Sequence, residues 1–470
     1  MLKSIVHLAS LVGLVAVNSA AAQSGILVIT SDFETGSIAH LPPGASVADT
    51  DILTIHSDAA ARYYDGRVYV VNRLGQDNVL VLDVENLRSP VAQFSVGNGT
   101  NPQDIAFASP EKAYVSRYAS ASILVVDPRD GTALGEIDLS SFADADGIPE
   151  MVQMVVFGNR LYVACQRLDR DGSFEPVEPS LLIVIDMFTD TIVDMDGSRE
   201  GVQGWELSAT NPNSLALAGD ELFVALTGSF GDETGGIEIL NLADGTTRGI
   251  VVDEAALGGD LNWLELVSNV KGFAIVSDAD FLNHVKPVDL ARGIVGEPLA
   301  EHSRAFTPSL AVDGSRLIVP DRGLFTAPET AGLLIYDANT DTLLEGPIPA
   351  GLPPLHITVL GERRITAILE QTSASIPKQL SLLEPFPNPF NSEVTIRFAL
   401  SEPIGDLRLV VYDSLGQEVR TLARAGMSSG HYQTSWDGRD NAGQTSGTGA
   451  YFVVLNAGDQ QIQQKVMFAK

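Results

Sequence analysis

The sequence predicts an all-β chain, a β-propeller followed by a small β-sandwich. Three observations carry that reading. A four-strand module recurs roughly every 49 residues through the first three quarters of the chain. The strand pattern changes after a small, polar stretch near residue 375. The chain also holds 43 glycines and 24 prolines, a supply of turn residues suited to many short strands.

The module sets the first domain. Its first strands begin at Ala59, Asp104, Val152, Asn213, Trp263, Ser309 and Leu355, spaced by 45, 48, 61, 50, 46 and 46 residues. Second strands read Val68-Tyr69-Val70-Val71-Asn72, Ala113-Tyr114-Val115-Ser116, Leu161-Tyr162-Val163-Ala164 and Leu222-Phe223-Val224-Ala225. Third strands end on aspartate, as in Val79-Leu80-Val81-Leu82-Asp83, Ile123-Leu124-Val125-Val126-Asp127, Leu182-Ile183-Val184-Ile185-Asp186 and Leu333-Leu334-Ile335-Tyr336-Asp337. Apolar, β-branched runs of this kind suit strands buried on both faces. Four strands repeating every 40–50 residues make propeller blades. Seven first strands predict seven blades, with eight or six as alternatives. Ile26–Ser31, Ser37–Leu41 and Asp51–His56 are then surplus. They are expected to complete the last blade beside Leu355–Leu360, which removes an open sheet edge.

Tyr69-Val70-Val71-Asn72 differs by one residue from the YVTN motif, and Asn101-Pro102, Asn211-Pro212 and Thr307-Pro308 fall at inter-blade turns. On these residues the segment resembles the YVTN-type, seven-bladed cell-surface propellers. The resemblance implies the fold and leaves the activity open, because propellers host many unrelated functions.

The N-terminus reads as a signal peptide, residues 1–22. Lys3 supplies a positive start, Ile5–Val17 an apolar run too short to span a bilayer, and Ala20-Ala21-Ala22 a cleavage site before Gln23. No cysteine stands there for lipoprotein processing. No other segment reaches membrane-spanning length, so the mature chain is expected to carry no transmembrane segment. The propeller is assigned to residues 24–369 and a linker to 370–380, where Gln371-Thr372-Ser373-Ala374-Ser375 precedes Pro377.

Residues 381–470 form the second domain. Val394-Thr395-Ile396-Arg397-Phe398 alternates as a half-buried strand, and Leu407–Tyr412 leads through Asp413-Ser414-Leu415-Gly416-Gln417 into a hairpin. Pro387-Asn388-Pro389-Phe390-Asn391, Trp436-Asp437-Gly438-Arg439-Asp440, Gly449-Ala450-Tyr451-Phe452 and a final basic Lys470 complete the pattern. These elements resemble the C-terminal sorting domain of type IX secretion (type A) and the related immunoglobulin-like domain of flagellar hook-capping proteins. That resemblance implies an Ig-like β-sandwich. It also implies outer-membrane secretion machinery as a partner, and delivery through the periplasm to the cell surface or the extracellular space.

Candidate chemistry is sparse. There is no G-x-S-x-G elbow and no G-x-x-x-x-G-K-[ST] phosphate loop. The single cysteine, Cys165, excludes an intramolecular disulfide and a cysteine zinc site, and its apolar strand marks it as a core residue. The histidines share no ligand spacing; His356, beginning an inner strand, is placed by the channel mouth. Calcium is the candidate cation, at Asp144, Asp146 and Glu150 and at Asp169, Asp171 and Glu178, because clustered carboxylates on a glycine turn suit a hard ion. Neither loop completes the EF-hand pattern.

The long connections fall in two classes that open on one face of a propeller: Gln166–Ser180, Thr227–Gly236, Ser277–His284, Asp321–Gly332 and Asp194–Pro212. Arg167, Phe174, Trp205, Asp232, Trp263, Phe325 and His356 are the candidate binding residues on or near that face.

The formal charge is −31. Residues 381–470 hold nine acids and seven bases, net −2, and the signal peptide +1, which leaves −30 on the propeller and linker. Such a surface excludes nucleic acid as a partner, since phosphate binding needs net Lys and Arg. Part of the charge is turn punctuation at Asp83, Asp127, Asp186, Asp289 and Asp337. The combined expectation is an exported bacterial propeller that binds a ligand or partner through its loop-rich face. The alternatives are a propeller enzyme of lactonase-like or quinoprotein type and a structural surface-layer or adhesion protein.

Overall fold

A computed structural model describes residues 25–470, apart from positions 171, 178, 301, 325, 326, 328, 329, 362–368, 372–379, 384, 387, 392, 393, 402, 403, 428, 429, 442, 443, 459 and 470. The signal peptide, most of the linker and Lys470 lie outside the described residues.

Between Gly25 and Leu360 the chain forms seven antiparallel sheets. We number them by their first strands: Ala59–Tyr64 (sheet 1), Pro102–Ser109 (2), Met151–Phe157 (3), Pro212–Ala218 (4), Asp260–Ser268 (5), Ala311–Asp313 (6) and Pro354–Leu360 (7). Each has four strands except sheet 3, where Trp205–Glu206 adds a fifth beside Leu181–Leu182. Sheet 7 is built from both ends of the domain, as the surplus strands require. Gly25–Ser31 pairs with Pro354–Leu360, and Gly36–Leu41 and Thr54–Ile55 follow. The first strand of each sheet touches that of the next, and sheet 7 returns to sheet 1. The ring is therefore closed.

The two inner strands of each sheet are apolar on both faces because both faces are covered by neighbouring sheets. Val68–Asn72, Ala113–Arg117, Leu161–Cys165 and Leu222–Leu226 are buried throughout. Cys165 packs among Met151, Leu161, Val163 and Leu181, and burial pushes its thiol pKa up, so it behaves as a core residue.

The first strands have no backbone neighbour on the axial side, and side chains from adjacent sheets bond across each junction. Met154 N–H donates to Asp104 Oδ2 (2.9 Å), Leu215 N–H to Gln153 Oε1 (2.9 Å), Leu264 N–H to Ser214 Oγ (2.9 Å) and Val312 N–H to Glu265 Oε1 (3.2 Å). Thr358 Oγ1 donates to Ala61 O (2.9 Å), Arg62 forms a bidentate pair with Asp104 (2.6 and 2.8 Å), and Arg322 Nη2 donates to Ser31 O (2.8 Å). All seven junctions carry such a bond, so buried backbone groups are satisfied around the ring.

The turn punctuation serves the local role the sequence suggests. Asp83, Asp127, Asp186, Asp289 and Asp337 each accept backbone N–H groups two or three residues on. Asn101 and Asn211, before their prolines, sit at φ 48° and 59°, a conformation asparagine tolerates better than most side chains.

The C-terminal domain is a sandwich of two four-stranded sheets. One holds Ser381–Leu382, Val394–Leu400, Gly430–Trp436 and Leu369–Gln371; the other holds Ile404–Tyr412, Glu418–Met427, Gly449–Ala457 and Gln460–Phe468. Leu369–Gln371, at the expected propeller–linker boundary, thus pairs with this domain. The sequence motifs converge on its core. Phe390 stacks on Phe468 (4.8 Å between centroids) and lies beside Trp436 (5.4 Å), whose Nε1 donates to Arg439 O (2.8 Å). Gly438 is at φ 76°, and a Cβ there would meet the Phe468 ring at 2.6 Å, which requires glycine in the Trp-Asp-Gly turn.

Candidate functional site

The connections between second and third strands all leave the ring on one face, because every sheet runs outward in the same order. Each of the seven connections carries an apolar or aromatic residue. They are Phe33 from sheet 7, Leu74 from sheet 1, Tyr118 from sheet 2, Phe174 from sheet 3, Phe230 from sheet 4, Phe281 from sheet 5 and Leu324 from sheet 6. All but Tyr118 are exposed, from 50% for Leu324 to 84% for Phe281. A large side chain fully in water gains nothing from folding, and exposed apolar clusters mark interaction sites.

Backbone geometry adds a second observation. Phe33, Leu74, Phe174 and Phe281 all have positive φ (72°, 40°, 60° and 60°). Bulky residues rarely adopt this conformation, which costs about 1–2 kcal/mol each. Neighbouring hydrogen bonds hold it. Asp32 Oδ1 accepts the N–H of Glu34 and Thr35 beneath Phe33, Phe174 N–H donates to Asp169 O, and Phe281 N–H donates to Asp278 O. The Arg322 guanidinium lies 4.4 Å from the Phe33 ring centroid and that of Arg170 5.8 Å from the Tyr118 ring. Between the apolar residues stand Asp32, Glu34, Asp169, Glu175, Asp232 and Asp280, all exposed.

The candidate residues divide among three places. Phe174, Asp169 and Asp232 lie exposed on the loop face. Arg167, half-buried at the root of its loop, donates to Pro179 O. Trp205 packs between sheets 3 and 4 with Leu182 and Leu207. Trp263 and His356 lie on the axis, their rings edge to face with centroids 6.5 Å apart. Phe325, Asp171 and Glu178 lie outside the described residues.

The first acidic loop is partly neutralised from within. Asp144 and Asp146 face one another, which raises the Asp144 pKa after burial has done so. Glu150 is fully buried, its Oε2 accepting Leu168 N–H (2.9 Å) and its Oε1 3.9 Å from Arg170 Nη1. Burial, then the two aspartates, push its pKa to about 7. Asp169 spends one oxygen on Gly172 N–H (2.9 Å). Among the described residues no three His, Cys, Asp or Glu side chains converge as a metal-holding group.

A second buried glutamate went unnoticed in the sequence. Glu254 accepts Gly235 N–H and Leu261 N–H (both 2.7 Å), tying the sheet 4 loop to the first strand of sheet 5, and burial raises its pKa to about 7. Phe33, Leu74, Phe230 and Phe281 were also missed. Only their position between a second and a third strand, read across all modules together, could have found them.

Residues 390–461 match the FlgD Ig-like domain family. Among solved structures the chain is similar to PorZ, a bacterial surface component of the type-IX secretion system of Porphyromonas gingivalis (13% identity, 93% of this chain and 63% of that one, TM-score 0.44). It is also similar to AztD of Citrobacter koseri (11%, 73% and 99%, TM-score 0.43) and BamB of Moraxella catarrhalis (16%, 63% and 76%, TM-score 0.38). The chain thus spans just under two thirds of the PorZ chain. No curated protein matches it in sequence. Among the described residues, no helix is long and apolar enough to cross a membrane.

Proposed function

We propose that the chain is an exported bacterial surface protein, a seven-bladed YVTN-type propeller that binds a protein partner through its loop-rich face. The observation that carries this reading is the ring of exposed Phe33, Leu74, Phe174, Phe230, Phe281 and Leu324, four of them in a strained backbone conformation. Strain retained on an exposed apolar residue serves the function of the surface and not its stability. The carboxylates between these residues favour a partner that presents Lys or Arg beside apolar groups.

The test compares Phe33→Asp/Phe230→Asp/Phe281→Asp with Phe188→Asp, which alters an equally exposed phenylalanine in a third-to-fourth-strand turn on the opposite face. The triple variant is expected to lose the partners that the wild type co-precipitates from the cell surface, while the Phe188 variant keeps them.

The C-terminal Ig-like domain is proposed to act as a type IX sorting signal, on the strength of its PNPFN, YDxLGxEV and WDGxD elements. Deleting residues 381–470 is then expected to trap the propeller in the periplasm; unchanged surface display removes the proposal. Calcium at the two acidic loops is a separate proposal. It is supported by Glu150 Oε1 and Asp146 Oδ2, both buried with no hydrogen-bond partner, and opposed by the nearby Arg167 and Arg170.

A further inference from the structure

We propose that the outer edge of the last strand, at residues 460–464, is the part of the C-terminal domain that its partner recognises, by adding an extended segment to it as a further β-strand. The inference rests on the sorting role proposed above and names the element that carries it.

Gln460–Phe468 closes one side of its sheet and pairs with Gly449–Ala457 over nine residues without a bulge. One end of its outer edge is already occupied by the PNPFN motif, whose Asn388 side chain behaves as a strand backbone would. Asn388 Nδ2 donates to Lys465 O (2.9 Å) and its Oδ1 accepts Met467 N–H (2.8 Å). Phe390 N–H then donates to Met467 O, and Ala469 N–H to Phe390 O. Lys465 and Met467 therefore turn their main-chain groups outward. In an antiparallel strand that direction recurs at every second residue, so Gln463 and Gln461 turn theirs outward as well. Among the described residues, the main-chain groups of Gln461 and Gln463 meet no partner on that side. The edge thus accepts strand-like pairing at one end and offers the same groups, uncovered, at the other.

Sheet edges are normally blunted, because an open one recruits other chains. The other edges of this domain are blunted. Glu418–Met427 shifts register three times against its neighbour, and Asn441 takes Val419 O and Thr421 N–H from its outer side. The second sheet ends in Ser381–Leu382 and Leu369–Gln371, strands of two and three residues. At the open edge the exposed side chains are Gln461, Gln463 and Lys465. These favour polar residues on the incoming strand, with an acid beside the lysine. A second copy of the chain is a poor occupant, because it brings a second propeller of strong negative charge. So short an edge buries little area, on the scale of a transient contact. That suits a cargo which must be bound and then released.

Surface display of the full chain in the bacterium that makes it, measured by protease access on whole cells, tests this. Gln461→Pro and Gln463→Pro each remove an outward N–H and spare the ladder to Gly449–Ala457, a position where an edge strand tolerates proline. They are made singly, so that either one carries the test, and circular dichroism of the purified chain confirms folding. Each is expected to lower display by about tenfold, as the loss of main-chain pairing to a weak partner implies. Gln461→Ser/Gln463→Ser changes both side chains, keeps both N–H groups, and is expected to be displayed as the wild type is. Folded proline variants displayed at the wild-type level overturn the proposal, and so does an equal loss in the serine variant. Deletion of residues 381–470 separates the two readings. If the deletion traps the chain while the proline variants reach the surface, the sorting role stands and the edge falls. If the deleted chain is itself displayed, both fall.

Discussion

At the scale of single residues, the buried glutamates set how stability responds to pH. Glu150 and Glu254 are fully buried and their carboxyls titrate near 7, against an ordinary value of 4.5. Between those values the folded chain holds protons that the unfolded chain has released. Stability therefore falls as pH rises from about 4.5 to 7, by up to about 3 kcal/mol per group, and stays lower above. Glu150→Gln, whose amide oxygen still accepts Leu168 N–H, is expected to flatten part of this slope in urea melts between pH 5 and 8. An unchanged slope contradicts the burial argument. The same melts with and without calcium chloride read the cation proposal, since a ligand of the native state raises stability. The sequence marked Glu150 only as a candidate cation ligand and did not mark Glu254, because the backbone groups that hold these carboxylates, Leu168 N–H for Glu150 and Gly235 and Leu261 N–H for Glu254, come from other segments of the chain.

At the scale of elements, the first strands depend on side chains of the neighbouring sheet. Asp104 is the strongest case, because one carboxylate holds Arg62 of sheet 1, Met154 N–H of sheet 3 and its own neighbour's N–H. Asp104→Ala strands a guanidinium and two N–H groups, and is expected to cost about 3–5 kcal/mol in equilibrium unfolding. A loss under 1 kcal/mol would show that water replaces the carboxylate there. The strands themselves were legible in the sequence. Apolar runs such as Leu182–Asp186 are local, and the aspartate that ends each one caps its own turn. The Asn-Pro steps were legible for the same reason. The bonds across the junctions were not, since Gln153 and Leu215 are far apart in the chain and meet only when sheets 3 and 4 stack.

At the scale of the whole molecule, one face of a closed ring carries the apolar loops while the charge is spread as turn punctuation over the same domain. The loop lengths pointed to this face from the sequence, and Phe174 and Asp232 were found that way. Trp205 was not placed by loop length, because its segment folds back as a fifth strand and packs the ring between sheets 3 and 4. Trp263 and His356 come together across sheet 6, a juxtaposition that no spacing in the sequence encodes.

The central claim is that the face formed by the second-to-third-strand loops is where a partner binds. Hydrogen–deuterium exchange of the chain, alone and in complex with the partner it captures from the cell surface, reads that face directly. Slowed exchange is expected at residues 32–35, 73–77, 227–235 and 278–282, with the turns of the opposite face unchanged. Protection confined to those opposite turns, or to the outer strands, would contradict it.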